Sequence, residues 1–364
     1  MASATGTRRT QPTRPAGAFQ APAERRKTMG GFGLQWHITD RCDQRCAHCY
    51  IFNSTDRVGG VTEFSLPDAK DVVDGFVSFC SAVGKSPSIT ITGGDPLLHP
   101  SIWEILSYLK ESGIRFTILG NPFHLNREVA ARLYSLGCRN YQMSLDGLRE
   151  THDSIRKPGS FDATVSKICD LKDAGIRANI MSTVSALNYR DIPDLVRLIV
   201  SEGVDLHAFA RYCPTHNDLE YSLDPKEYRE FLASMWSIYT ELADSGTTFT
   251  LKDHLWTPFL YEIGEFSPIE TNLVYAGCAC GISHITLLED GSVYACRRFN
   301  SPIGNINDQD FASLFWGEEM SRYREVDKIE GCKDCALLNC CRGCRAVAAG
   351  YTGDYFQRDP QCWR

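Results

Sequence analysis

The chain has 364 residues, 43% of them hydrophobic, and a net charge of −7. That is enough apolar material for a large core, and the acidic balance gives no general attraction to nucleic acid or anionic lipid. No apolar run approaches the roughly 18 residues that span a bilayer, so no membrane span is expected and the chain reads as a soluble, cytoplasmic protein.

Residues 1–30 set Arg8, Arg9, Arg14, Arg25, Arg26 and Lys27 against Glu24 alone. They lack the apolar segment of a secretory signal and the apolar helical face of a transit peptide, so a disordered basic tail is expected.

Residues 31–244 alternate short apolar runs with helical patterns. Leu34–Thr39, Ser88–Thr92, Arg115–Leu119, Asn140–Leu145, Ala178–Thr183 and Asp205–Phe209 read as strands. Ile102, Ile105, Leu106 and Leu109 share one helix face, as do Ile192, Leu195, Val196 and Ile199. Gly113, Gly137, Gly175 and Gly203 each separate a helix from the next strand, where a left-handed cap is commonly needed. Six such repeats imply an α/β fold with a parallel sheet, either a partial (βα)6 barrel or a doubly wound sheet. Residues 225–243 read as one more helix, and 245–277 as an irregular bridging segment. From 278 to 364 the alternation stops, and metal clusters rather than a large apolar core are expected to hold the chain.

Eleven of the sixteen cysteines gather at 42–49, 278–296 and 332–344. Disulfide frameworks belong to small secreted domains, whereas close spacing in a large chain favours metal. Cys42, Cys46 and Cys49 follow the first strand as C-x3-C-x2-C. Three thiolates hold three irons of a cubane, which leaves the fourth iron open for chemistry. A closed zinc site would need His48 or His37 as its fourth ligand, and His48 sits awkwardly between two of the cysteines.

The segment WHITDRCDQRCAHCYIF, with Tyr50 after the third cysteine, resembles the signature of the radical S-adenosylmethionine (SAM) superfamily. The resemblance implies that the open iron chelates SAM and that an electron from the cluster cleaves it to a 5′-deoxyadenosyl radical. It extends to Thr92-Gly93-Gly94-Asp95-Pro96, where the family has Gly-Gly-Glu-Pro against the methionine ammonium. It extends also to Ser144-Leu145-Asp146-Gly147, whose serine helps bind the cofactor, and to His152–Arg156 with Gly159 and Phe161. The arginine of that last stretch pairs with the methionine carboxylate in the family. Tyr50, Gly93, Gly94, Asp95, Ser144 and Arg156 are therefore the expected SAM contacts.

The tail resembles the SPASM domain, which carries two auxiliary four-iron–four-sulfur clusters. Cys280, ten residues, Gly291, four residues and Cys296 form its first group, and Cys332-x2-Cys335-x5-Cys341-x2-Cys344 with Cys362 its second. Carried over by position, one cluster takes Cys278, Cys280, Cys296 and Cys344, and the other Cys332, Cys335, Cys341 and Cys362. With the SAM-binding cluster that makes three. Two departures stay open: Cys340 in place of Cys341 restores one family spacing, and Cys278 lies unusually close to Cys280. Cys80, Cys138 and Cys169 read as buried structural thiols, while Cys213, after the sixth strand, can face substrate.

Enzymes with such a tail mostly modify peptides, which points to a ribosomally made precursor peptide as partner and a reducing donor such as flavodoxin or ferredoxin. Sulfatase maturases carry an aspartate after the second tail cysteine, where this chain has Arg297 and Arg298, which argues against that activity. The thirty residues before the first strand are too few for a leader-binding domain, so a leader would need a separate leader-binding protein or a surface groove, or the substrate has no leader. The alternatives are a haem-pathway or small-molecule radical enzyme, and a non-catalytic iron–sulfur or zinc protein.

Overall fold

The computed structural model describes residues 19–20, 30–51, 63–214 and 219–364. The rest of the basic tail lies outside the described residues.

The described strands in chain order are β1 (Phe19–Gln20), β2 (Gly31–Thr39), β3 (Ser86–Gly93), β4 (Arg115–Leu119), β5 (Asn140–Ser144), β6 (Arg177–Val184), β7 (Leu206–Arg211), β8 (Thr248–Thr250), β9 (His284–Leu287), β10 (Ser292–Tyr294) and β11 (Pro302–Asn305). They form one sheet in the order β1-β8-β7-β6-β5-β4-β3-β2-β9-β10-β11. From β2 to β8 the neighbours follow chain order and are parallel, which is the geometry of a partial barrel. The crossover helices include α1 (Leu66–Ala82), α2 (Ile102–Glu111), α3 (Arg127–Ser135), α4 (Arg149–Ile155), α5 (Ser160–Asp173), α6 (Ile192–Ser201) and α7 (Pro225–Glu241). In α6 the repeating Ile192, Leu195, Val196 and Ile199 are all buried, and α7 opens on a capping box between Asp224 and Glu227. The four glycines that end helices have φ of +68° to +98°, as their placement predicts.

The bridging segment is more regular than expected. It contains β8, which extends the parallel sheet beside β7, and α8 (Trp256–Glu262), whose Trp256 is fully buried against Phe209 and Tyr239. A three-residue strand is too short to show a period of two, which is why the sequence pattern hides it.

The tail also differs from expectation. Its first half carries an apolar, packed sheet and helix besides its cysteines. β9 pairs parallel with β2 across Gly33–Trp36, and β10 and β11 continue antiparallel. In α9 (Phe311–Trp316), Phe315 meets Phe32 and Phe79 at ring-centroid distances of 4.9 and 5.5 Å, while Phe311 meets Phe76 at 5.5 Å. α10 (Glu318–Ser321) follows. Only the stretches around α11 (Arg345–Thr352) fit the expected picture, with turns and short 3-10 segments over 322–344 and irregular chain over 353–364.

Candidate active site

The parallel strands deliver their C-terminal ends to one rim, where a cavity of about 240 Å³ opens. Ligands of open parallel sheets bind at this end because the loops after the strands converge there. Cys42, Cys46 and Cys49 face it from the loop after β2, Gly93 and Gly94 from the end of β3, and Ser144 from the end of β5. Tyr50 and Arg156 line it as well. Eight of the nine residues expected at the SAM site thus share one cavity; Asp95 does not line it.

The two glycines are fixed by backbone contact. Gly94 N donates to Thr39 O at 2.8 Å and Asp95 N to Arg41 O at 2.6 Å, so the loop after β3 is laced to the chain entering the cysteine loop. A Cβ on Gly93 would lie 2.2 Å from Thr39 O, and one on Gly94 would lie 2.0 Å from Arg41 O. These glycines admit the neighbouring backbone as much as any ligand.

Asp95 is fully buried and caps the short 3-10 turn Pro96–Leu98, its Oδ1 accepting from Leu97 N at 3.2 Å. Its Oδ2 has no hydrogen-bond partner. Burial pushes the carboxyl up to about 6. A buried, unpartnered carboxylate oxygen is costly, and it fits a missing cationic partner such as an ammonium group.

Arg156 is held by Asp146, from the Ser144-Leu145-Asp146-Gly147 stretch. Its Nε donates to Asp146 Oδ2 at 2.5 Å, and its Nη1 points to Cys46 Sγ at 3.8 Å. Asp146 is wholly buried, and its Oδ1 accepts from Thr183 N of β6 at 2.7 Å. Burial alone would raise the Asp146 carboxyl, but the Arg156 guanidinium, with the Thr183 N–H, outweighs it and holds the carboxyl below its ordinary value. His48 approaches the same carboxylate at 3.5 Å, but burial drives its ring down to about 4, so it is neutral and makes no ion pair there. His37 is buried inside β2 beside the Tyr50 ring. Asn121, after β4, donates to Cys42 Sγ at 3.3 Å, a contact with no sequence signature.

The tail cysteines form two groups. Cys332, Cys335, Cys341 and Cys362 surround a small cavity of about 30 Å³. Cys340 is turned away from it, fully buried with its Sγ toward Leu337 O at 3.4 Å, so geometry brings Cys341 into the group. Cys278 adjoins Cys280, and Cys296 lies beside Cys278 and Cys344. Cys80 and Cys138 are buried as expected; Cys169 is exposed, because its position on α5 faces solvent.

One residue ties the barrel to both groups. Arg211 ends β7 with 1% of its side chain exposed and forms a two-pronged pair with Asp359 at 2.9 and 2.8 Å. Its Nε donates to Asp253 at 2.9 Å. Asp359 Oδ2 accepts from Cys344 N at 2.7 Å, and its carbonyl accepts from Cys362 N at 3.0 Å. Arg298 lines the cavity, donates to Arg211 O and reaches Cys344 Sγ at 3.7 Å. Arg297 stacks over Tyr50 and Tyr294 at 5.3 and 5.8 Å, so neither arginine lies on a solvated face.

Residues 36–199 match the radical SAM superfamily, and residues 278–336 match the SPASM family, an iron–sulfur cluster-binding domain. The chain is 28% identical over 341 residues to an AdoMet-dependent heme synthase of Methanosarcina barkeri, covering 90% of this chain and 95% of that protein. It is also 28% identical over 342 residues to the mycofactocin maturase MftC of Mycobacterium ulcerans, covering 90% and 87%. The crystal structure of Streptococcus suis SuiB bound to S-adenosylmethionine superposes with a TM-score of 0.72 at 19% identity, over 94% of this chain and 80% of that one. That last likeness shows the fold.

Proposed function

Since the chain carries a radical SAM domain followed by a SPASM domain, we propose that this radical SAM enzyme cleaves SAM reductively and modifies a peptide, with a ribosomally made precursor as substrate. The observation that carries the reading is the single cavity lined by Cys42, Cys46 and Cys49 together with Gly93, Gly94, Ser144 and Arg156. Bound together there, a four-iron–four-sulfur cluster and SAM supply a 5′-deoxyadenosyl radical that removes a hydrogen atom from an unactivated carbon.

The chain's own residues orient and enclose that chemistry. Cys42, Cys46 and Cys49 provide three thiolates for three irons of a cubane, which leaves one iron free for SAM. Arg156, clamped by Asp146, presents its remaining donors to a carboxylate, a geometry to which guanidinium is suited. The orphan Oδ2 of Asp95 suits the ammonium. Tyr50, backed by Arg297, closes one wall against water. The two tail groups of four cysteines hold auxiliary clusters, which makes three clusters in all.

The peptide reading draws on the maturase relatives. The MftC relative is 28% identical to this chain and covers 90% of it. The haem-synthase relatives, aligned over 90% of the chain, favour a second reading in which a porphyrin is the substrate. Anaerobically reconstituted protein is given SAM, a strong reductant, and either a cysteine-bearing precursor peptide or an iron porphyrin. A peptide of altered mass alongside 5′-deoxyadenosine is the expected result. Turnover of the porphyrin with an unmodified peptide overturns it. A flavodoxin or ferredoxin is the proposed donor, with a separate protein to recognise the leader.

A further inference from the structure

The first auxiliary group is described by four thiols, Cys278, Cys280, Cys296 and Cys344, but five converge. The fifth is Cys213, two residues beyond β7. Its thiol adjoins that of Cys344 and lies near Cys296 and Arg298. Cys213 also lines the SAM cavity, which none of the other four does. It therefore stands in the partition between the two sites.

A cubane takes four cysteine ligands, one per iron. Cys278 and Cys280 leave the chain one residue apart, so that stretch holds a thiol to spare once Cys213 joins. Cys213 and Cys344 come from opposite sides, one from the end of a barrel strand and one from the start of α11. The Arg211–Asp359 pair fixes both: Arg211 is two residues before Cys213, and Asp359 holds Cys344 N.

We propose that Cys213, with Cys280, Cys296 and Cys344, ligates the first auxiliary cluster from the cavity side, and that Cys278 does not. An iron–sulfur bond to Cys213 forms as its thiol proton is lost to solvent, and no electron moves. The wall between substrate and cluster is then a single cysteine, which gives an electron from a substrate radical a direct way out. The assignment rests on the reading of the tail as a cluster-binding domain.

The test uses the full chain carrying Cys42→Ala, Cys46→Ala and Cys49→Ala, so that only tail clusters contribute. After anaerobic reconstitution this background should hold about eight irons, at four per cubane. Iron near zero with zinc in its place defeats the cluster reading itself, separately from the Cys213 assignment. Electron paramagnetic resonance of the reduced protein is then compared with Cys213→Ala, Cys213→Ser or Cys278→Ala added. A shifted or lost auxiliary signal in both Cys213 variants, with an unchanged spectrum in Cys278→Ala, is expected. Serine keeps the size and offers oxygen, so a folded Cys213→Ser protein with shifted resonances separates ligation from misfolding. An unchanged spectrum in the Cys213 variants, or a changed one in Cys278→Ala, overturns the assignment.

Discussion

The barrel and the tail are joined in one sheet, yet they are built on different terms. In the barrel, buried strands and amphipathic helices make a continuous apolar core, and the cavity is an interruption at its rim. In the last forty or so residues of the tail, charged groups and thiols are buried instead: Arg342, Arg345 and Asp359 are each no more than 2% exposed, as is Arg211, which reaches in from β7. An apolar core stabilises through area and tolerates local change, whereas buried charge stabilises only when every partner is present. The barrel can therefore lose a ligand and keep its shape, while the tail depends on specific pairs.

The sharpest way to break that contrast is to remove Cys42, Cys46 and Cys49 together as alanine. Formation of 5′-deoxyadenosine should cease, and bound iron should fall from about twelve to about eight. Loss of the tail clusters as well would show that the two regions are not separable. Next in size is Asp359→Ala, which strands the Arg211 guanidinium in the interior. It should cost about 3–5 kcal/mol in denaturant unfolding of the reconstituted protein. Phe315→Ala should cost a similar 3–5 kcal/mol although it lies in the tail, because its ring packs on Phe32 of β2. An effect confined to the tail would contradict that packing.

Arg156→Ala tests the cavity itself. Loss of a charge-assisted contact should weaken SAM binding by about 1.5–3 kcal/mol, read by equilibrium titration. The smallest effect concerns pH. Burial raises the Asp95 carboxyl to about 6, so it is neutral below that value and charged above it. Its attraction for an ammonium group should therefore grow as pH rises from 5 to 7, and Asp95→Asn should flatten that rise in SAM affinity.

The barrel was largely legible in the sequence. Strand edges fell within a few residues of expectation because apolar runs and helix-ending glycines are local signals. The three-thiol loop and Gly93-Gly94 were legible for the same reason, being contiguous. What sequence missed is long-range. The partners of Arg211 lie 42 and 148 residues away, and nothing in Arg211-Tyr212-Cys213 announces them. The choice between Cys340 and Cys341 was also undecidable by spacing, since one residue shifts both gaps; in the structure Cys341 lines the small cavity while the Cys340 thiol turns to Leu337 O. The aromatic packing of α9 on α1 was hidden because Phe311 and Phe315 look like an ordinary short helix until Phe32, Phe76 and Phe79 are placed opposite.

The pairing of β9 with β2 bears on how the protein is made. Gly33–Trp36 leaves the ribosome some 250 residues before its partner His284–Leu287. During that interval β2 is a bare strand edge, with Trp36 and Ile38 beside it and unpaired amides along it, open to another chain. Nascent or truncated chains that stop before residue 284 are thus the form most prone to aggregate.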